Sequence, residues 1–145
     1  MPTAAPASAV ETANLLRPVL LHLNRHLRRE IHSLGVTAGQ VSLLAAIHGQ
    51  PGIGVKELAQ REGSSAPTVS AHLDRLEEAG MVARTRGSDD RRRVGLTVTA
   101  EGSRVLRTVR SRRTAWLAAR IEQLAPEQRA ALDTAVGALR ALVEG

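Results

Sequence analysis

Residues 64–98 read SSAPTVSAHLDRLEEAGMVARTRGSDDRRRVGLTV and change from a helical to a β-strand pattern at Gly80. Ser65 can cap a helix, Pro67 fits its first turn, and a glycine often follows the last turn. Apolar residues recur every three or four positions, at Val69, Leu73 and Leu76. The segment therefore predicts an amphipathic helix that ends at Gly80 and buries one face.

After Gly80 the spacing of apolar residues becomes two, as in a strand with one buried face. The alternating positions are Val82, Arg84 and Arg86 in a first strand, and Val94, Leu96 and Val98, expected to face inward, in a second. Residues 87–92 are expected to form the turn between them. The pattern predicts a β-hairpin with an arginine-rich tip.

The outward face of the predicted helix carries short hydrogen-bonding groups and one long cation, which suit base edges in a DNA groove. The candidate DNA-contacting residues here are Ser64, Ser65, Thr68, Ala71, His72 and Arg75. A short helix is expected from Val55 to Arg61, with Gly63 as the turn, which gives the spacing of a helix-turn-helix. A generic corner between two helices explains that spacing equally well, but the basic hairpin favours DNA binding.

The hairpin tip holds the candidate wing site, Asp90, Arg91, Arg92 and Arg93. Asp90 lies two residues before Arg92, close enough to accept its hydrogen bonds and hold the guanidinium in one direction. An arginine ordered in this way can enter a minor groove, whereas the alternative is a diffuse positive potential. Candidate contacts to the DNA backbone are Lys56, Arg84 and Arg86.

Residues 56–102 resemble the winged helix-turn-helix of MarR-type (multiple antibiotic resistance) transcription regulators. The most specific match is Asp90-Arg91-Arg92 followed by the alternating strand that ends in Thr97-Val98-Thr99, and VTAGQVSLLAAI upstream extends the likeness to most of the chain. Ala71 departs from the family, since many relatives carry a long polar or basic side chain there.

The resemblance implies a two-fold dimer made by the terminal helices. It also implies a small-molecule pocket between those helices and the winged domain. The candidate lining residues are His22, His26, Arg110, Arg113 and Trp116.

Helical patterns flank residues 37–98, the expected winged unit. Residues 1–10 are expected to be disordered or frayed, and residues 11–34 form an apolar stripe in which Pro18 either delays or kinks the helix. That stripe consists of Leu16, Leu20, Leu23, Leu27, Ile31 and Leu34. Thr37 to Gln40 matches a capping box for a helix to about His48. Its inward residues are expected to be Val41, Leu44, Ala45 and Ile47.

Residues 100–143 are expected to form two further helices, one capped by Thr99 and one beginning at Pro126. Together with residues 11–34 they carry more apolar surface than one winged domain covers. This surplus predicts a homodimer held by the terminal helices.

Composition excludes several classes of protein. The 145 residues suit one domain, and an aromatic content of 1% predicts a core of aliphatic side chains packed between helices. The absence of cysteine excludes disulfides, thiolate zinc sites and a cysteine nucleophile. His22 and His26 are four residues apart but have no third ligand, which favours a solvated face over a metal site. We expect no cofactor and no metal, and no catalytic motif is present, so an enzyme is not predicted.

The net charge of +6 at pH 7 comes almost wholly from arginine, the side chain best suited to phosphate and guanine. No leader or membrane span is recognised, and a cytoplasmic protein is expected. The predicted fold is mainly α with a small β-hairpin. The predicted function is a dimeric transcription regulator, a repressor tuned by a small ligand, that binds double-stranded DNA at a near-palindromic operator. The alternative is a constitutive or architectural DNA-binding protein without ligand sensing.

Overall fold

The computed structural model describes residues 6–86 and 94–145. The helices are α1 (Ala9–Arg29), α2 (Ala38–Gly49), α3 (Val55–Glu62), α4 (Ala66–Glu78), α5 (Ala100–Ile121) and α6 (Pro126–Glu144), with a 3₁₀ turn at His32–Leu34. Strands β1 (Val82–Arg86) and β2 (Val94–Val98) pair antiparallel, with Val82 opposite Val98. The predicted class, mainly α with a small hairpin, is confirmed. Over the described part of the chain, no helix is long and apolar enough to span a membrane.

Three of the predicted helix starts, at Thr37, Ser65 and Thr99, are confirmed by their hydrogen bonds. Thr37 Oγ1 accepts from the Gln40 N–H at 3.2 Å, and Gln40 Oε1 accepts from the Thr37 N–H at 3.1 Å, which completes the capping box. Ser65 caps α4, and Thr99 Oγ1 caps α5 by accepting from the Gly102 N–H at 3.1 Å. Side-chain acceptors therefore replace the missing helical carbonyls at three helix starts.

The junction between α4 and β1 is tight and is fastened to α5. Gly80 has a φ of +73°, and the Met81 N–H donates to the Leu76 carbonyl at 2.9 Å, which closes the helix. The Met81 carbonyl then accepts from the Thr99 N–H at 3.0 Å. A Cβ at Gly102 would clash with that same carbonyl and with Val98 Cγ1. Glycine at 102 is what lets α5 approach the junction so closely.

The core lies inside the winged unit, where α2 contacts α3, α4, α5 and β2. Its fully enclosed side chains are Ile31, Leu44, Ile47, Ile53, Leu58, Val69, Leu73, Leu76 and Leu96. The inward prediction for α2 was wrong at one position, because Leu43 is buried while Ala45 is exposed beside a cavity next to α5. Val94 was also expected to face inward but is 38% exposed, since it pairs with Arg86 at the end of the hairpin farthest from the core.

The predicted bounds of the first helix need correction at both ends. Residues 9 and 10 are helical rather than frayed, because Ser8 and Glu11 form a capping box. Pro18 lies inside α1 without ending it, and the carbonyl that its missing N–H leaves free belongs to exposed Asn14. The helix stops at Arg29, not Leu34, because the chain turns to bury Ile31 against the core.

A stack of planar side chains joins α1 to α5. The His22 and His26 rings lie 4.9 Å apart at 18°, and His26 stacks on Trp116 at 5.1 Å and 19°. The guanidinium of Arg120 lies 5.2 Å from the Trp116 ring centroid. Partial burial lowers the pKa of His26 below its ordinary value, and the positive charges of His22, Arg29, Arg120 and Arg25 lower that pKa further. The neutral imidazole is therefore the form that the stack favours.

The stack predicts a loss of stability in mild acid. A lowered pKa in the folded state means that the unfolded chain takes up this proton more readily, so stability is retained above the ordinary pKa and lost as the pH falls through it. The temperature midpoint of unfolding should therefore decrease when the pH is lowered from about 8 to about 5.5. His26→Asn should make this decrease smaller. The matched control is His32→Asn, at an exposed histidine. An undiminished pH dependence in His26→Asn would contradict this assignment.

Candidate nucleic-acid interface

α3 and α4 form a corner that presents one face of α4 to solvent. α3 ends at Gly63 with a φ of +63°, and the next residue, Ser64, donates its N–H to the Ala59 carbonyl at 3.0 Å. Leu58 of α3 and Leu73 of α4 are both fully buried. The residues of the predicted contact set that are exposed are Ser64, Ser65, Thr68, Ala71 and Arg75. α3 and the core therefore hold α4 from behind while this polar face stays open.

The first turn of α4 orders the groups at the start of that face. Ser65 Oγ accepts from the Thr68 N–H at 3.3 Å, and the two hydroxyls lie 2.8 Å apart. The hydroxyl of Thr68 is thus held close to the end of the helix, where free backbone N–H groups favour an anion such as a phosphate. This end of α4 combines phosphate-compatible and base-compatible groups within one turn.

His72 was predicted to face outward, and this was wrong in part. The residue is half-buried, and its Nδ1 atom is shielded from solvent without a partner among the described residues. Successive helix residues are 100° apart, so position 72 lies next to the buried side of α4 that Leu73 and Leu76 occupy. The ring therefore lies at the edge of the open face.

The predicted DNA-backbone contacts, Lys56 on α3 and Arg84 and Arg86 on β1, have different surroundings. Arg84 donates to Glu77 Oε2 at 2.9 Å through Nε and to Asp74 Oδ1 at 3.0 Å through Nη2. Arg86 and Lys56 are exposed. The sequence reasoning missed Asp74 and Glu77. The sequence does place these two acidic residues three positions apart on the helix that precedes the hairpin, so that both lie on one side of it.

The wing-tip prediction lies outside the described residues. It comprises Asp90, Arg91, Arg92 and Arg93. The described hairpin ends at Arg86 on one strand and resumes at Val94 on the other, with these two residues paired.

The residues of the predicted ligand pocket fall into two separate places. His22, His26 and Trp116 line a shallow cleft of about 330 Å³ with Val19, Leu23 and Arg120. Arg110 and Arg113 instead line a cavity of about 590 Å³ between α2 and α5, together with Arg107 and His48. In the single chain the predicted lining residues therefore lie in two different cavities, and the second cavity also includes Arg107 and His48, which the prediction did not name. Arg107 lies one turn before Arg110, a spacing visible in the sequence.

The structure shows how His22 and His26, considered in the sequence as a possible pair of metal ligands, are arranged. Their rings lie face to face, at 18° to one another. Within residues 6–86 and 94–145, no group of three or more histidine, cysteine, aspartate or glutamate side chains is placed to hold a metal.

Comparisons with known proteins agree with this architecture. The MarR family model matches residues 36–94. The transcriptional repressor MdtR of Bacillus subtilis (strain 168) is 33% identical over 94 residues, which are 65% of this chain and 61% of MdtR. The crystal structure of RV1404 from Mycobacterium tuberculosis superposes with a TM-score of 0.82 at 25% identity and covers 97% of both chains.

A further solved structure carries DNA. The S. aureus MepR F27L mutant bound to an oligodeoxyribonucleotide has a TM-score of 0.71 and 19% identity, and the match covers 91% of this chain and 97% of that one. The fold and the relatives are those of transcription regulators, which are not enzymes. The fold is the winged helix-turn-helix fold of MarR proteins, and residues 36–94 are similar to the MarR family of transcription regulators.

Proposed function

We propose that the protein is a homodimer that binds double-stranded DNA sequence-specifically through α4 and represses transcription until a small ligand intervenes. The observation that carries DNA binding is the open polar face of α4, held from behind by α3. The net charge of +6 favours a polyanionic partner. The DNA-bound MepR mutant and the repressor MdtR support the same function. The protein then acts in the compartment that holds the DNA, the cytoplasm.

On this proposal Thr68 and Arg75 contact base edges or nearby phosphates, and Arg92 enters a minor groove. His72 contributes from the edge of the face. Two such units related by two-fold symmetry require a near-palindromic operator, with half-sites about one helical turn apart.

A first experiment selects bound duplexes from a random pool and then titrates the variants. Arg75→Gln should weaken binding to the selected duplex by about 1–3 kcal/mol and relax the preference at one base position. Arg129→Gln, on exposed α6, removes the same charge and should have a smaller effect. Equal losses for both variants, or a selected site without two-fold symmetry, would count against the proposed interface.

The dimer proposal rests on apolar surface that the single chain leaves open. Neither α1 nor α6 contains a fully buried residue, although the helices have 21 and 19 residues. Their large exposed apolar residues are Val10, Leu15, Val19, Leu20, Leu21, Leu23, Val136, Leu142 and Val143. An apolar surface of this kind on two long helices is typical of a subunit interface. The partner we propose is a second copy of the chain.

Charges placed in this surface should separate the subunits. Leu15 and Leu142 are 74% and 69% exposed in the single chain, so aspartate at both positions leaves its fold intact. Burying these unpaired charges in a dimer costs several kcal/mol. Sedimentation should show the mass falling to the 15.5 kDa of one chain. Asn24→Asp, which adds one negative charge at an exposed polar position of α1, is the control and should leave the dimer intact. A dimer that persists in the double variant would overturn the assignment.

The cavity between α2 and α5 is the proposed effector site. Arg107, Arg110 and Arg113 line it at three-residue spacing, and the Nε atom of Arg113 is buried without a partner among the described residues. Its apolar wall comprises Val41, Ala45, Leu106, Val109 and Leu117. Cationic groups over an apolar wall suit an anion with an apolar body. A ligand there contacts both α5 and α2, the helix against which α4 packs.

An aromatic sulfonate dye, anilinonaphthalene sulfonate, serves as a probe of this cavity. Arg110→Gln should weaken its binding by at least about fivefold, the scale of one charged hydrogen bond, whereas Arg129→Gln should not. Dye binding should also release the selected duplex, as measured by fluorescence anisotropy of labelled DNA. A dye that binds at the cavity without changing DNA affinity would instead favour the constitutive or architectural alternative.

A further inference from the structure

Arg84 on β1 links the hairpin to α4 through two carboxylates. Its Nε donates to Glu77 at 2.9 Å and its Nη2 donates to Asp74 at 3.0 Å. The Arg84 side chain is 33% exposed, less than either carboxylate, at 67% for Asp74 and 45% for Glu77. The guanidinium therefore lies inward of the two carboxylates, between the strand and the helix.

Arg84, Asp74 and Glu77 form a triad, and its geometry requires arginine. Asp74 and Glu77 are one helical turn apart, on the flank of α4 between its buried seam and its open face. The planar guanidinium offers two donors in fixed directions, one toward each carboxylate. A lysine ammonium on a flexible stem does not fix both partners in this way.

The other ion pairs of the described residues join side chains of one helix. Arg104 pairs with Glu101 inside α5, and Arg140 pairs with Glu144 inside α6. Within residues 6–86 and 94–145, the Arg84 pairs are the ones that connect two different elements. The triad is thus an ionic tie between α4 and the hairpin.

Two carboxylates beside a DNA-binding face oppose the approach of phosphates. One arginine cancels only one of their two charges, so the triad as a whole stays negative. A simple electrostatic role would be better served by an uncharged flank on α4. The carboxylates therefore need a different explanation, and their hydrogen bonds to Arg84 supply one.

We propose that Arg84, Asp74 and Glu77 position the hairpin against α4, so that helix and wing meet DNA as one rigid unit. Arg84 is then a positioning residue and not the phosphate contact that its charge suggested. The inference rests on the proposed DNA binding and adds the device that sets the angle between the two contacting elements.

The triad restricts the conformational mobility of the hairpin and contributes little to the unfolding free energy of the protein. Exposed ion pairs contribute little to unfolding free energy because solvent screens them and the side chains lose entropy. A hairpin that is already ordered, in contrast, loses less freedom when it binds. Variants of the triad should therefore unfold at nearly the same temperature as the unaltered protein.

The first test compares affinities for the selected duplex at one salt concentration. Asp74→Asn with Glu77→Gln should weaken binding about fivefold because the hairpin must be ordered on binding, even though the protein gains two positive charges. Glu78→Gln on the same helix is the charge control and should bind as tightly as the unaltered protein or more tightly. Tighter binding by the double variant overturns the proposal.

The salt dependence separates positioning from direct phosphate contact. Arg84→Gln should weaken binding while leaving the slope of log K against log salt unchanged, because no phosphate contact is lost. A slope reduced by about one would identify Arg84 as a phosphate ligand and overturn the proposal. Arg84→Lys keeps the charge and should not restore the affinity.

A measurement without DNA distinguishes failure of this proposal from failure of the proposed function. Amide hydrogen exchange of β1 and β2 should be faster in the Asp74→Asn, Glu77→Gln variant, with exchange in α2 unchanged. Unchanged exchange in the hairpin overturns the positioning role, whether or not the protein binds DNA. If exchange in the hairpin is faster in the variant but the unaltered protein binds no duplex, the positioning role of the triad is supported and only the DNA-binding function is rejected.

Discussion

The main chain of a single residue, Met81, joins α4 and β1 of the winged unit to the start of α5. Its N–H closes α4 by donating to Leu76, and its carbonyl accepts from Thr99 at the start of α5. Gly102 packs directly against that carbonyl, where a side chain would clash. Backbone hydrogen bonds and steric contact are rigid compared with surface side chains, so the directions of α4, β1 and α5 are fixed relative to one another. The open face of α4 owes its orientation to this junction and to the packing of α3 behind it.

Burial divides the molecule unevenly, and this division organises the proposed function. The fully enclosed side chains gather around α2, α3, α4 and the hairpin, with Ile31 at the turn after α1. The long helices α1 and α6 contribute no fully buried residue. α5 belongs to both regions: Val105 and Val109 enter the core, whereas Trp116 stacks with His26 of α1. In the proposed dimer, a change in how the two chains pack would therefore reach the winged unit through α5.

Local signals in the sequence predicted most of the fold. Caps at Thr37, Ser65 and Thr99 depend on a side chain and a backbone three residues away, so they can be recognised without a structure. The alternation in residues 82–98 predicted the hairpin for the same reason. What the sequence did not reveal depends on contacts between distant elements. Ala45 and Val94 were assigned inward from periodicity alone, but α5 leaves a cavity beside the first and the core does not extend to the second. Arg84 was predicted to contact the DNA backbone, and its hydrogen bonds to Asp74 and Glu77 could not be predicted because they join a strand to a helix.

A ligand changes DNA affinity only if it binds one conformation of the protein better than another. On the proposed function, the cavity between α2 and α5 is where a ligand makes this selection. Its arginines all belong to α5, whereas part of its apolar wall, Val41 and Ala45, belongs to α2. An anion with an apolar body contacts the arginines of α5 and the apolar residues of α2 together only when the distance between the two helices matches the size of the anion. Because α5 is hydrogen-bonded to the turn after α4 and α2 packs against α4 itself, a change in that separation alters the support of α4 from two sides. The effector would then act on the spacing of the two DNA-contacting helices in the proposed dimer without touching either of them.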